Sequence, residues 1–419
     1  MSSEPSMADI DLSSIKTIDD LDVEGKRVLV RVDLNVPIEN GDVADDTRIK
    51  RVLPTIAKLK QGGAKVILLS HLGRPTGERS PETSLRPVAK RVEELLNGGP
   101  VLFLDDCVGP EVENGLKSLG NGDVAMLENL RYHEGEKAND MGFAKQLAAL
   151  GDIYVDDAFS SAHRAHASVE AIAHLMPAYA GKLMMAEISA LSIALADPKR
   201  PVMAIVGGAK VSTKIDVLKN LATCMDVLVV GGGMANTLLN AQGVNVGNSL
   251  YEPDFVETVK EVLASAKKAG CEIFLPVDEV VANELAPGTE WKVCGVNDIP
   301  SDMMVLDQGP KSIERLKEKL GEMQTLLWNG PLGAFEVAPF GKGTLALAEE
   351  SGRLSKEGKL VSIAGGGDTV RALNMVGATP DFTYVSTAGG AFLEWLAGRQ
   401  LPAVMALASQ ASPARAAVG

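Results

Sequence analysis

Short apolar runs rich in Val, Ile and Leu alternate along the chain with longer stretches of helical character. The runs that predict strands are Arg27–Val32, Lys65–Ser70, Val101–Leu104, Ile153–Val155, Val202–Val206, Val227–Val230, Ile273–Leu275, Thr325–Trp328, Leu360–Ala364 and Phe382–Val385. The stretches that predict helices are Thr47–Lys60, Leu85–Leu96, Met141–Leu150, Ser212–Ala222, Asp254–Ala269 and Gly343–Gly352. This alternation predicts parallel sheets with helices on both faces.

The number of predicted strands is too large for one sheet of ordinary size, and a break lies near Met176–Pro201. Pro177 ends one unit, and a helical stretch over Lys182–Ala196 leads to the next. We therefore expect an α/β protein with two doubly wound, Rossmann-like parallel-sheet domains, joined by an interdomain helix and separated by a cleft. The expected boundaries are 1–181, 182–200 for the helix and hinge, 201–400, and 401–419 for a C-terminal tail.

Composition agrees with this fold and argues against some classes of binding partner. The 419 residues are 46% apolar and only 4% aromatic, so the core must rest on aliphatic side chains and Met. With 41 basic against 55 acidic residues the formal net charge is −14, which argues against non-specific binding to nucleic acid or to an anionic membrane.

The expected location is the cytoplasm. The polar, acidic start of the chain lacks the basic and apolar regions of a signal peptide, and no apolar run reaches the length of a membrane span. The four cysteines are scattered without a CxxC pair, which is typical of reduced thiols.

Glycine clusters follow several predicted strands of the second half. In Gly365–Thr369, glycines would let backbone N–H groups approach phosphate oxygens, and a helix N-terminus would add its dipole. Asp368 could cap that helix or hold Mg²⁺. An ordinary tight turn with an Asp cap is the alternative.

Two lysines follow a second cluster, Gly207–Gly208. Lys210 and Lys214 are four residues apart, so on a helix both ammonium groups would project from one face and suit an anion between them. A solvated surface pair is an equally good interpretation. Neither cluster matches GxxxxGK[ST] or GxGxxG, which disfavours a P-loop or a dinucleotide site.

A third element, Trp328–Glu336, also follows a strand. Asn329 could donate to a phosphate and Glu336 could accept from ribose hydroxyls, although a plain Gly-Pro turn explains the same residues.

In the first half, Asp33 and Asn35 end one strand and are expected to face the same side, towards a substrate's hydroxyl and carboxylate. His71 and Arg74 follow another strand, and Arg48, Arg131 and Arg164 complete the set. Arginine grips carboxylate and phosphate with two parallel hydrogen bonds. Each arginine alone could be an ordinary surface residue. Their joint position after strands favours a ligand at the C-terminal sheet edge.

Eight segments resemble signatures of the phosphoglycerate kinase family, in family order: RVDLNVP (31–37), SHLGRP (70–75), LENLRYH (127–133), DAFSSAHRAH (157–166), GGAKVSTK (207–214), GGGM (231–234), WNGPLGAFE (328–336) and GGGDT (365–369). The resemblance covers roughly residues 10–400. Ala388 stands where many relatives carry glycine, and the tail beyond Leu401 matches poorly.

The resemblance implies reversible, Mg²⁺-dependent phosphoryl transfer between 1,3-bisphosphoglycerate and ADP, which gives 3-phosphoglycerate and ATP. It implies that the acid is bound by Asp33, Asn35, Arg48, His71, Leu72, Gly73, Arg74, Arg131 and Arg164. It implies that ATP or ADP is bound by Gly208, Lys210, Lys214, Gly232, Asn329, Glu336, Gly366, Gly367, Asp368 and Thr369. The implied catalytic residues are Arg48, Lys210 and Lys214, the implied Mg²⁺ ligand is Asp368, and the expected form is a hinge-bending monomer.

Two other classes share parts of this pattern. A nicotinamide-dependent dehydrogenase would share the fold, but the sequence has no GxGxxG followed by an acidic residue about 20 positions later. A non-catalytic sensor of phosphorylated metabolites would keep the anion-binding loops without needing Lys210, Lys214 and Asp368 together.

Overall fold

The computed structural model describes residues 12–75 and 78–410 and consists of two compact units. The first unit contains the described residues up to Ser189 together with those from Gln400 onward, and the second is Ala190–Arg399. Each unit is built on its own six-stranded sheet. All strand pairs in both sheets are parallel, which confirms the α/β class with two doubly wound sheets.

The first unit contains eight of the described strands. These are β1 (Arg27–Val32), β2 (Ile38–Glu39), β3 (Asp42–Val43), β4 (Lys65–Leu69), β5 (Val101–Leu104), β6 (Val124–Leu127), β7 (Ile153–Asp157) and β8 (Ala178–Ala180). Its helices are α1 (Thr47–Gln61), α2 (Arg86–Leu96), α3 (Pro110–Leu116), α4 (Glu134–Lys137), α5 (Met141–Ala148) and the first part of α6 (Lys182–Leu195). The sheet order is β5-β6-β4-β1-β7-β8, and β2 and β3 form a small antiparallel hairpin.

The pattern of apolar residues explains how these elements pack. Strands β4 and β6 are continuous apolar runs because helices cover both sheet faces. Helix α1 instead buries one stripe, which contains Ile49, Val52, Ile56 and Leu59.

The second unit contains the remaining strands. These are β9 (Val202–Gly207), β10 (Val227–Gly231), β11 (Glu272–Phe274), β12 (Asp278–Ala282), β13 (Trp291–Gly295), β14 (Met304–Gln308), β15 (Thr325–Asn329), β16 (Val361–Gly365) and β17 (Tyr384–Ser386). Its helices are α7 (Ile215–Cys224), α8 (Gly233–Ala241), α9 (Val256–Ala269), α10 (Pro310–Gly321), α11 (Lys342–Lys356), α12 (Gly367–Met375) and α13 (Gly390–Leu396). The main sheet has the order β11-β10-β9-β15-β16-β17.

The structure adds elements that the sequence did not predict. Strands β12, β13 and β14 form a separate antiparallel sheet. In the first sheet, β6 lies between β5 and β4, and β8 is the edge strand beside β7. Strand β13 is mostly exposed and β8 has only three residues, so neither forms a long apolar run. Strands β8 and β13 therefore depend on tertiary pairing rather than on local pattern.

The described part of the C-terminal segment, up to residue 410, belongs to the first unit. Helix α14 (Pro402–Ser409) belongs to the first unit, where the Ala403 N–H donates to the Ala162 carbonyl at 3.1 Å. The Gln410 side chain donates to the Ala173 carbonyl at 2.7 Å. The sequence predicts a tail over 401–419, of which 411–419 lie outside the described residues. Among the described residues, no helix is long and apolar enough to cross a membrane.

Candidate active site

In the first unit, the C-terminal ends of four neighbouring strands, β6, β4, β1 and β7, meet at one sheet edge. We call the loops that leave these ends, residues 33–37, 70–75, 128–133 and 158–166, the arginine edge. All the residues implied for acid binding lie in these loops except Arg48, which lies in the first turn of α1. The topology therefore brings four segments that are distant in sequence to one place.

Asp33 and Asn35 lie beyond the end of β1, so the expected strand geometry does not orient them. The Asp33 carboxylate accepts hydrogen bonds from Arg48 and Ser160 and, at 3.0 Å, from the Asn35 N–H. The Asn35 side-chain oxygen accepts from the Gly73 N–H at 2.8 Å. These polar atoms tie the loops of the arginine edge to one another.

Arg131 is the most buried of the arginines implied for acid binding. Its Nη1 donates to the Gly73 carbonyl at 2.6 Å, and its Nε has no hydrogen-bond partner among the described residues. Burial, followed by the nearby charges of Arg164 and Arg31, lowers the pKa of Arg131 to about 10. A cation with a lowered pKa and an unpaired donor is stabilised by a bound anion.

His71 is buried beside the same positive charges. Burial, followed by the Arg31 charge, holds the pKa of His71 well below its usual value. The Arg31 Nη2 lies 3.0 Å from His71 Nδ1 and can only donate, so Nδ1 accepts and Nε2 carries the proton. His71 is thus a neutral donor at pH 7. Leu72 is buried, whereas Arg74 is exposed.

Sequence reasoning missed the residues behind His71. Arg31 is almost completely buried, and its Nε donates to Ser168 Oγ at 2.9 Å. That hydroxyl in turn donates to the buried carboxylate of Glu136 at 2.7 Å. The apolar pattern of β1 hides Arg31, and only the fold brings Glu136 and Ser168 near it.

In the second unit, the C-terminal ends of β10, β9, β15 and β16 lie side by side. We call their turns, residues 207–214, 231–234, 329–336 and 365–369, the glycine edge. Helices α8 and α12 begin here after Gly232 and Gly366, whose φ angles of 67° and 94° favour glycine. Helix α12 has no side-chain cap, so its first-turn N–H groups can meet an anion, whereas in α8 the Met234 N–H already donates to the Gly208 carbonyl at 3.2 Å.

The glycines also allow the turns to approach one another. A Cβ on Gly207 would lie 1.8 Å from the Pro331 carbonyl oxygen. A Cβ on Gly366 would lie 2.8 Å from Asn329 Nδ2. Only glycine fits at these two contacts.

Lys210 and Lys214 do not share a helix face, which corrects the expectation from their spacing. Both precede α7, and a 3₁₀ turn over Val211–Thr213 separates them. Lys210 is exposed, whereas the Lys214 ammonium donates to the Gly207 carbonyl at 2.7 Å and to Asn329 Oδ1 at 2.6 Å. Burial lowers the pKa of Lys214 to about 8, against the opposing charge of Asp368.

The other residues implied for nucleotide binding divide into buried and exposed groups. Asn329 donates to the Gly365 carbonyl at 2.8 Å, and Thr369 Oγ1 accepts from the Gly330 N–H at 2.7 Å, so both fasten adjacent turns. Glu336 and Asp368 are exposed. The N–H of Ala388 donates to Ser386 Oγ at 3.1 Å, so this amide already has an acceptor.

Two further features of this unit had no signal in the sequence. Asp307 is buried at the end of β14 and accepts from the Gly343 N–H, in the first turn of α11, at 3.0 Å. Burial raises its pKa to about 7. Leu250 is an exposed apolar residue beside the start of α8, where its carbonyl accepts from Asn236 at 3.1 Å.

Comparisons with known proteins agree on one family. A family model described as phosphoglycerate kinase matches residues 18–399. The chain is 58% identical over 392 residues to the phosphoglycerate kinase of Rhizobium meliloti (strain 1021), covering 93% of this chain and 98% of that one. It is 55% identical over 396 residues to that of Caulobacter vibrioides (strain NA1000 / CB15N), covering 94% and 100%.

Solved structures show the same similarity. The phosphoglycerate kinase of Coxiella burnetii superposes with a TM-score of 0.89 at 41% identity, covering 95% of this chain and all of that one. The phosphoglycerate kinase of Pyrococcus horikoshii OT3 superposes with a TM-score of 0.79 at 30% identity, covering 95% and 99%.

Proposed function

The chain belongs to the phosphoglycerate kinase family and reversibly transfers a phosphoryl group between 1,3-bisphosphoglycerate and ADP, and from this premise we propose how its residues divide the work. The first unit binds the glycerate acid and the second binds the nucleotide. One observation supports this division. The arginine edge, with its cationic side chains, lies in the first unit, and the glycine edge, with its backbone turns, lies in the second.

The glycerate acid binds at the arginine edge. Arg131, with its unpaired Nε, and Arg164 and Arg74 attract the carboxylate and the phosphate of 3-phosphoglycerate. His71 donates its Nε2 proton, while Asp33 and Asn35 hold the loops that carry these donors and offer oxygen atoms to the substrate hydroxyl. Gly73 and Leu72 contribute backbone at the same turn.

The nucleotide binds at the glycine edge. Its phosphates meet the uncapped N–H groups of α12, at Gly366, Gly367, Asp368 and Thr369, with Gly208 and Gly232 close by. Lys214 and Asn329 sit beside these turns, and Glu336 accepts from the ribose hydroxyls. We add Leu250 as an apolar contact for the base, because it is exposed next to the start of α8.

The residues present fit a magnesium ion carried by the nucleotide. Asp368 is exposed in the first turn of α12 and makes no capping hydrogen bond there, so its carboxylate is available as a single oxygen ligand. Mg²⁺ commonly takes one or two carboxylates together with phosphate oxygens and water. When bound it neutralises charge on the phosphates.

Transfer itself needs positioned cations rather than a protein nucleophile. We propose that Lys210, Lys214 and Arg48 stabilise the negative charge on the phosphoryl group in the transition state of its transfer. Because donor and acceptor oxygens must meet in line, the proposal includes a closing motion of the two units at segment 182–200, which would also exclude water. A monomeric state and a cytoplasmic location stay predictions.

A crystal structure with both ADP and 3-phosphoglycerate tests the division. We expect the acid against Arg131 and Arg164 and the nucleotide phosphates against the first turn of α12. Finding both ligands on one unit, or the α12 turn without a phosphate, would contradict the assignment while leaving the family membership intact.

A further inference from the structure

Three side chains with the donor atoms of a metal site lie close together, one of them at the end of an arginine-edge loop and two in the segment after β5. Asp106 and Cys107 follow strand β5, and His133 ends the short turn Leu130–Tyr132. Their ligand atoms all lie within 4.8 Å of one another. None of these residues has a role in the reaction proposed above.

The carboxylate of Asp106 is already oriented towards the other two side chains. Its Oδ1 lies 2.7 Å from His133 Nε2 and accepts from the Cys107 N–H at 2.7 Å, while Oδ2 is paired with Arg79. The His133 ring stacks on Phe143 with centroids 5.1 Å apart, which limits its rotation. Carboxylates and imidazoles that bind metals are commonly held by such neighbours.

The separations are close to those of a tetrahedral site. Metal–ligand bonds of about 2.0 to 2.3 Å place tetrahedral ligands about 3.3 to 3.7 Å apart. The observed limit of 4.8 Å therefore requires movements of about 1 Å. Asp106 and His133 are part-exposed, which leaves a path for an ion and a position for a water ligand.

The donor set selects the class of ion. One sulfur, one imidazole nitrogen and one carboxylate oxygen suit Zn²⁺ and similar thiophilic divalent cations, and do not suit Mg²⁺ or Ca²⁺. In the metal-free protein Cys107 is a fully buried thiol. Binding breaks that S–H bond, forms a sulfur–metal bond and releases one proton without any redox change.

The site lies against a loop of the arginine edge. The Asp106 carbonyl accepts from the Glu128 N–H at 3.4 Å, and His133 is two residues from Arg131. A shift of His133 towards Cys107 would therefore act on the segment that holds Arg131.

We propose that Asp106, Cys107 and His133 bind a thiophilic divalent cation, of which Zn²⁺ is the type, and that its binding weakens the affinity for 3-phosphoglycerate. The second part rests on the proposed role of Arg131 in acid binding. The first part stands on the geometry and donor chemistry alone.

Cobalt titration of the full, untagged chain tests the site directly. We expect one Co²⁺ per chain, a thiolate-to-cobalt charge-transfer absorption band, displacement of the band by Zn²⁺, and about one proton released per ion in weakly buffered solution. Cys107→Ser abolishes the band, and the matched control Cys271→Ser, at another buried cysteine, keeps it. His133→Gln, at a part-exposed position, weakens binding at least tenfold and covers the case in which Cys107→Ser fails to fold. A band that survives both variants, or no band in the parent protein, overturns the site.

Kinetics tests the link to the substrate. One equivalent of Zn²⁺ should raise the KM for 3-phosphoglycerate severalfold and leave the KM for ATP unchanged, and His133→Gln should lose this response. Binding with no change in either KM would refute the link while the cation site stands. Separate calorimetry of 3-phosphoglycerate with Arg131→Ala shows whether a failure lies instead in the assigned role of Arg131.

Discussion

The two sheet edges present different hydrogen-bond donors to a prospective anionic ligand. The arginine edge offers guanidinium and imidazole side chains, and burial, followed by the neighbouring positive charges, lowers the pKa of Arg131 and of His71. The glycine edge offers the backbone N–H groups at the uncapped start of α12, with Lys214 half-buried between the turns. The difference teaches that converging cationic side chains suit a compact acid, whereas backbone N–H groups in successive turns suit a row of phosphates.

Buried carboxyl groups show a parallel between the units. In the first, Asp157 accepts from the Leu183 and Met184 N–H groups at 2.8 and 3.0 Å, at the start of α6. In the second, Asp307 accepts from Gly343 at the start of α11. Burial raises the pKa of each to about 7. Unlike the ligand edges, these two helix supports are built in the same way.

The largest expected effect is at Lys210, the exposed cation of the glycine edge. Lys210→Ala should lower kcat by about 10²–10³, the usual scale for removing one positioned charge donor in a transition state. Steady-state kinetics with a coupled assay measures this. The control is Lys219→Ala, at an exposed lysine within α7, which should keep the parent kcat. An unchanged kcat in Lys210→Ala removes this residue from the mechanism.

Arg164→Ala tests the arginine edge. Loss of one charged hydrogen-bond donor should weaken 3-phosphoglycerate binding by about ten- to a hundredfold and spare ATP. Isothermal titration calorimetry with each ligand measures both. Arg27→Ala is the matched control, because Arg27 begins β1 at the opposite edge of the same sheet. Equal losses for the two ligands would refute the division of labour.

Gly366→Ala tests the glycine edge in the same way. The added Cβ would lie 2.8 Å from Asn329 Nδ2, and φ is 94°, so the turn must distort. Local strain of about 1 to 3 kcal/mol should weaken ADP binding by about tenfold and leave 3-phosphoglycerate binding unchanged. Gly358→Ala, with a φ of 69° and open space around it, controls for backbone strain alone. If both variants bind ADP equally, the close turn at Gly366 is not needed.

The smallest effect concerns stability and tests the parallel between the units. Burial raises the pKa of Asp157 and of Asp307 to about 7, above the ordinary value of 3.8, so between these values the native state holds protons that the unfolded state has lost. Their contribution to the free energy of unfolding therefore falls as pH rises from about 4 to about 7. Asp156 adds like charge beside Asp157, and Lys342 opposes the shift at Asp307.

Asn in place of either Asp keeps an acceptor oxygen and removes the titration. As the pH rises from about 5 to about 7, the stability of Asp157→Asn and of Asp307→Asn relative to the parent should rise by about 2 kcal/mol each. Urea unfolding at the two pH values measures the difference. A gain in one variant only would show that the two helix supports are not equivalent.

The sequence by itself determined the strands that form the centre of both sheets and the glycine turns that follow them. Apolar runs such as those of β4 and β9 can only be buried on both faces, and a positive φ as at Gly366 strongly favours glycine. These properties are local, so a single segment carries the information.

Only the tertiary structure decided which polar groups meet. The spacing of Lys210 and Lys214 suggested a shared helix face, but helix α7 begins only after Lys214. Lys214 instead donates to Asn329 in a neighbouring turn, which separates the two lysines. The pairing of Arg31 with His71, and the meeting of Cys107 with His133, join segments tens of residues apart. Such contacts depend on strand order and loop path, and neither is encoded in any one stretch of sequence.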